Sequence, residues 1–175
     1  MKLLFLDTET TGLDGNARLL QVAYSTFIDF EEEEPSPIVS EYFDPQVALG
    51  IDAMCVNHIT EKMVINQPAF AGSKMYKHLE MLLRDHTLVA HNAPFDIGML
   101  EREGLSVPSY ICTKKIAEHL GLAKKTNLQY LRYSLDLDIE GNAHTASGDV
   151  TVLIALFKHI TKHYLAPEQM LHLCR

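Results

Sequence analysis

Three short acidic motifs define the chemistry this chain could perform. Phe5-Leu6-Asp7-Thr8-Glu9 sets two carboxylates two residues apart at the end of an apolar run, and on a β-strand residues i and i+2 face the same way. His91-Asn92-Ala93-Pro94-Phe95-Asp96 follows a shorter apolar run, with Pro94 suited to a first helical turn and Asp96 near that helix's N-terminus. His144-Thr145-Ala146-Ser147-Gly148-Asp149 leads into an amphipathic stretch, where Asp149 stands four residues before Leu153 on the stripe that otherwise faces inward. A buried aspartate is costly without a cation or a hydrogen-bond network. Each motif alone has a plainer reading: acids mark the exit of a strand, Asn92 or Asp96 caps a helix, and His144 sits in a Gly- and Asn-rich loop. If Asp7, Glu9, Asp96 and Asp149 converge, however, each pair repels by about 1 to 4 kcal/mol at 4 Å. Two divalent cations cancel four negative charges, and oxygen-only ligands favour Mg²⁺ or Mn²⁺ over Zn²⁺. Paired cations about 3.5 to 4 Å apart serve in-line displacement at phosphodiesters. His144, with a reference pKa near 6.5, suits a base at neutral pH.

The elements that must position these groups follow from periodicity. Lys2 to Glu9, Leu19 to Ile28 and Ile38 to Phe43 read as three strands joined by short loops, an antiparallel meander. Met75, Leu79, Leu82 and Leu83 recur at helical spacing after Pro68. A buried strand at Thr87 to Ala90, a helix from Pro94 to about Glu103 stopped by Gly104, and a strand from Val107 to Cys112 come next. Helices are then expected at 113–120, 127–134 and 147–163, the last with Leu153, Leu156, Phe157 and Ile160 on one face. The order predicts an α/β three-layer fold: a mixed five-stranded sheet with helices on its faces.

The chain has 175 residues, which suits one domain over 1–175. Its formal charge of −8 argues at first against a nucleic-acid partner. Residues 31–54, however, contain seven acids and no Lys or Arg, including the run Glu31 to Glu34 before Pro35, a composition of a solvated loop. Residues 111–175 carry a net +2, and with the acidic segment and the four candidate ligands set aside the remainder is mildly basic. Three cysteines with no CxxC pair exclude a disulfide framework or a four-cysteine zinc site. Asp7 interrupts the first apolar run too early for a signal peptide, and no stretch approaches the roughly 20 apolar residues of a membrane helix. A cytoplasmic protein is expected.

"DTETTGL", "HNAPFD" and "HTASGD", in this order and spacing, resemble the three motifs of the DnaQ-like DEDDh 3′–5′ exonucleases. The resemblance implies an RNase H-like fold, two metal ions held by Asp7, Glu9, Asp96 and Asp149, and His144 as general base. A sister class places a tyrosine four residues before the last aspartate; that position is Thr145 here, so the histidine class is the better match. "HITEKMV", "ICTKKIAEHL", "TNLQYL" and "APEQM" look like the exonuclease X branch more than the polymerase proofreading subunits. By the same resemblance Thr8, Thr10, Thr11, Gly12, Leu13, Asn92 and Phe95 would contact the 3′-terminal nucleotide, Leu13 as a wedge and Phe95 by stacking. The implied activity is release of 5′-mononucleotides from 3′ ends, of DNA in repair or proofreading, with RNA trimming or a non-catalytic binding module as alternatives.

Two further groups carry weaker chemistry. Lys114-Lys115 and Lys124-Lys125 are basic pairs suited either to phosphate contact or to a solvated helix face. His159 and His163 share zinc-like i, i+4 spacing, with His172 and Cys174 beyond, but no closing ligand can be placed, and surface histidines are the simpler reading.

Overall fold

The structure is a computed structural model that describes residues 1–28, 34–137, 139 and 145–174. Three strands, β1 (Leu3–Thr10), β2 (Leu19–Phe27) and β3 (Val39–Tyr42), form the expected antiparallel meander. Three helices follow, α1 (Ile51–Asn57), α2 (Glu61–Val64) and α3 (Lys74–Leu82). After them come β4 (Thr87–Ala90), α4 (Ala93–Arg102), β5 (Tyr110–Cys112), α5 (Thr113–Leu120), α6 (Leu128–Ser134), α7 (Ala146–His163) and α8 (Pro167–Cys174). The sheet order is β3-β2-β1-β4-β5, with β4 parallel to both β1 and β5. It is the mixed five-stranded α/β architecture expected from the sequence.

Alternation along β1 divides the molecule into two layers of core. Leu3 and Phe5 face α6, α7 and α8, where Phe5 meets Phe27 and Phe157 edge-on at 5.3 and 5.1 Å between ring centroids. Leu4 and Leu6 face the opposite layer, formed with Met75 and Leu79 of α3 and Met99 and Leu100 of α4. Between Glu9 and Thr10 the β1–β2 register shifts, so that Glu9 pairs with Gln21 and Thr10 with Leu19. Leu20, left over by this bulge, packs in a small third cluster with Ile59 and Val64.

Some boundaries differ from the periodicity reading for local reasons. The helix expected after Pro68 starts at Lys74, because Ser73 caps it through Tyr76 N–H at 3.0 Å and the preceding turn uses Gly72 at φ +78°. β5 is shorter than expected: Pro108 has no N–H to give a ladder, and the first bond is Leu88 N–H to Ser109 O. Gly104, at φ +91°, does stop α4 as expected. Helices α1, α2 and α8 were not anticipated by periodicity. Among the described residues no helix is long and apolar enough to cross a membrane. The acidic residues 31–33 lie outside the described residues; Glu34 forms an ion pair with Lys158 of α7 at 3.0 Å.

Candidate active site

Because Asp7 and Glu9 continue the Leu3 and Phe5 face of β1, they point toward the layer that holds α7. The first turn of α7 brings Asp149 to the same place. Thr145 starts that helix by accepting Gly148 N–H at 3.1 Å, and buried Gln21 of β2 accepts Ala146 N–H at 3.3 Å, so the helix end is fixed on the sheet. One carboxylate oxygen from each of Asp7, Glu9 and Asp149 lies within 4.8 Å of the others.

Asp96 arrives from the other layer. Asn92, in the left-handed region at φ 72°, turns the chain out of β4, and Pro94 falls in the first turn of α4 as expected. Asn92 stands at the N-cap position without a side-chain capping bond, and Asp96 is 3% exposed with another partner. That partner is Thr8, whose hydroxyl donates to Asp96 Oδ1 at 2.8 Å. Thr8 lies on the β1 face opposite to Asp7 and Glu9, so the four acids form a trio with a fourth member approaching past the strand's edge. Asp96 is still near enough to act on Asp7: burial first, then the charges of Asp96, Asp149 and Glu9, hold the Asp7 carboxyl well above the usual carboxylate range. Glu9 is pushed up to about 7 by burial and then by Asp149 and Asp96. Asp96 is pushed up to about 7 by burial, against the opposing hydrogen bond from Thr8.

A group of acids that resists ionisation this strongly is favoured as carboxylates by positive charge among them. The donor set is all oxygen, which fits a hard divalent cation. Residues missed by the motif reading support it. Gln129 of α6 donates Nε2–H to Asp149 Oδ1 at 2.6 Å, holding that carboxylate in place. His91 ties the second motif to α6: its ring pairs with Thr113 Oγ1 at 2.9 Å and with Thr126 O at 2.7 Å, next to the α6 cap residue Asn127. Burial pushes His91 down to about 4, so it is neutral and serves as a brace. Only the distance between α6 and α7 reveals Gln129; its one sequence cue is the capping Asn127 two residues before it.

Beside the acids opens a cavity of about 580 Å³ lined by Thr8 to Asp14, Phe95 and the inner side of α1, including Ala53, Val56 and Asn57. The Thr10 to Asp14 turn is held from three sides. Thr11 N–H and Arg18 O bond at 2.9 Å, Asn57 Nδ2 donates to Thr10 O at 3.1 Å, and Arg102 donates to Asp14 O at 3.0 Å. Leu13 projects from this rigid turn 86% exposed, so it does not pack on the sheet. Asn92 is exposed and does not line the cavity. His144 lies outside the described residues. His159 and His163 stack on each other at 4.8 Å and belong to no three-ligand cluster among the described residues.

Residues 4–157 match the model of the RNase T exonuclease family. The DNA polymerase III subunit epsilon of Treponema pallidum is 27% identical over 168 residues, covering 90% of this chain and 75% of that protein. The DNA polymerase III subunit epsilon-like protein of Rhodobacter capsulatus is 33% identical over 173 residues, 89% of this chain but 23% of that longer protein. Exonuclease X, solved in complex with 5′ overhanging duplex DNA, aligns with a TM-score of 0.79 and 27% identity over 99% of both chains. An acid trio on β1 and α7 of an RNase H-like sheet, together with a family match that spans all but the ends of the chain, makes this protein a member of the RNase T (DnaQ-like) exonuclease family, a 3′–5′ exonuclease.

Proposed function

We propose that the chain removes 5′-mononucleotides one at a time from the 3′ ends of DNA, with residues 1–175 acting as a single catalytic domain. The observation that carries this reading is the Asp7, Glu9 and Asp149 trio beside an apolar-walled cavity large enough for a nucleotide. Asp7, Glu9, Asp96 and Asp149 would hold two Mg²⁺ or Mn²⁺ ions, which supply charge for the attacking and leaving oxygens of an in-line displacement. Thr8 keeps Asp96 aimed at the group, and Gln129 does the same for Asp149. Leu13 and Phe95, both lining the cavity, grip the terminal base and sugar, and covering an exposed leucine adds roughly 1.5 to 3 kcal/mol to binding. His144 takes the proton from the attacking water. The complex of exonuclease X with duplex DNA supports DNA over RNA.

The test is to incubate 3′-labelled and 5′-labelled DNA and RNA strands with Mg²⁺ or Mn²⁺. DNA shortened from the 3′ end with 5′-mononucleotide product is the expected result. Faster loss of RNA would reassign the substrate, and no metal-dependent product from either polymer would overturn the reading.

A further inference from the structure

Helix α6 does more than place Gln129. Its Leu131 is fully buried and Leu128 and Leu135 pack beside it, which leaves Gln129 and Tyr133 as an i, i+4 pair on another stripe of the helix. Gln129 reaches Asp149 at one end of that stripe. One turn along, Tyr133 is 74% exposed, and the Arg132 guanidinium lies 5.4 Å from its ring centroid. The guanidinium is itself anchored, donating to Ile139 O at 2.8 Å. A second pair repeats the arrangement: Lys125 Nζ stands 5.9 Å from the ring of Tyr130, also at the surface. Exposed Lys124 precedes Lys125 in sequence, within residues 111–175, which carry a net +2.

We propose that this face of α6 is a platform for the strand being degraded, with Tyr133 stacking on a nucleobase a few nucleotides from the cleaved end and Lys124, Lys125 and Arg132 facing the phosphates. The inference rests on the nuclease reading above. Three observations favour a nucleic acid over a protein occupant. The exposed aromatic rings are each attended by a cation, which suits a chain that alternates flat bases with phosphate charge. The positive side chains match a polyanion. The stripe also begins at a residue touching a catalytic acid, so a strand whose end lies among the acids has a direct path along it. The hydrogen bond from Gln129 to Asp149 makes α6 the element that joins strand binding to the acid group.

The experiment compares Tyr133→Ala and Tyr133→Phe with the wild type in two ways. Binding is read by fluorescence anisotropy of a 5′-fluorescein-labelled twelve-nucleotide thymidine strand in EDTA at low salt. Turnover is read on the same strand and on a nitrophenyl ester of thymidine 5′-monophosphate, which fills the cleaved position and reaches no further. Tyr133→Ala is expected to weaken strand binding and raise KM for the strand by about tenfold, the size of losing one stacked base. Its kcat and KM on the ester should stay within twofold of wild type, and Tyr133→Phe should behave as wild type. Unchanged strand binding in Tyr133→Ala overturns the proposal, as does an equal loss on strand and ester, which would mark a structural role. If the wild type turns over neither substrate, the nuclease reading fails, whereas the binding comparison still decides the platform.

Discussion

Asp7 is the residue on which the site depends most. Burial and then every neighbouring acid raise its pKa, so its ionised form is disfavoured until positive charge offsets the carboxylates around it. Asp7→Asn is expected to abolish turnover while the metal-free protein melts at a higher temperature near pH 8, since one repelling charge is gone. A lower melting temperature would show that Asp7 is needed for folding instead. Gln129→Leu should weaken Mn²⁺ affinity by about 10-fold or more, as typical for loss of a residue that orients a ligand, and calorimetric titration would measure it directly. Unchanged affinity would make the 2.6 Å bond to Asp149 incidental. His144→Ala should slow turnover by roughly 100-fold at neutral pH, and wild-type rates would remove it from the mechanism. At this scale the acids were legible because type and spacing together imply a shared strand face. Gln129 was not, because a glutamine becomes informative only when a second helix comes within hydrogen-bond reach.

Helices with a periodic buried stripe were legible, including α4 and α7, which carry Asp96 and Asp149, whereas α1, which walls the cavity, was not. α3, α4 and α7 place apolar residues at helical spacing against the sheet, and their sequences carry that period. α1 buries only Asn57, at its end, with Ile51 and Val56 exposed, so it lacks the periodic stripe that marks a core helix. Its purpose is to wall the cavity, and Asn57 is the fastener: Nδ2 donates to Thr10 O while Oδ1 accepts Ile59 N–H at 3.0 Å. Asn57→Ala leaves these two groups unpaired and should cost about 1 to 3 kcal/mol, with KM for short strands rising as the Thr10 to Asp14 turn loosens. Thermal melting and steady-state kinetics would check both effects, and an unchanged melting temperature would contradict the fastening role.

Across the whole molecule, acidity and stability are linked through the site. Glu9 and Asp96 have folded pKa values of about 7 against 4.5 and 3.8 in the unfolded chain, so the metal-free native state binds more protons than the unfolded one. Their contribution to stability is present below about pH 4 and is lost as pH rises through 7. His91 runs the other way: depressed to about 4, it removes stability as pH falls from 6.5. The His91 ring bonds Thr113 and Thr126 and not the acids, so the melting-temperature gain on adding Mg²⁺ reports on the acids, and it should grow from pH 5 to pH 8. A gain independent of pH would argue that the acids do not hold the ion. The opening charge of the chain, which first argued against a polyanionic partner, is thus concentrated in residues 31–54 and in the four acids of the candidate site. The bulge between Glu9 and Thr10 has a consequence at the same scale. By turning Leu20 away from both main layers, it gives the segment that follows α1 a small core of its own with Ile59 and Val64. A segment anchored by so few apolar side chains opens at lower free energy than the sheet beneath it. Amide hydrogens of residues 51–65 should therefore exchange with deuterium well before those of β1 and β4, through an opening that leaves the strands intact.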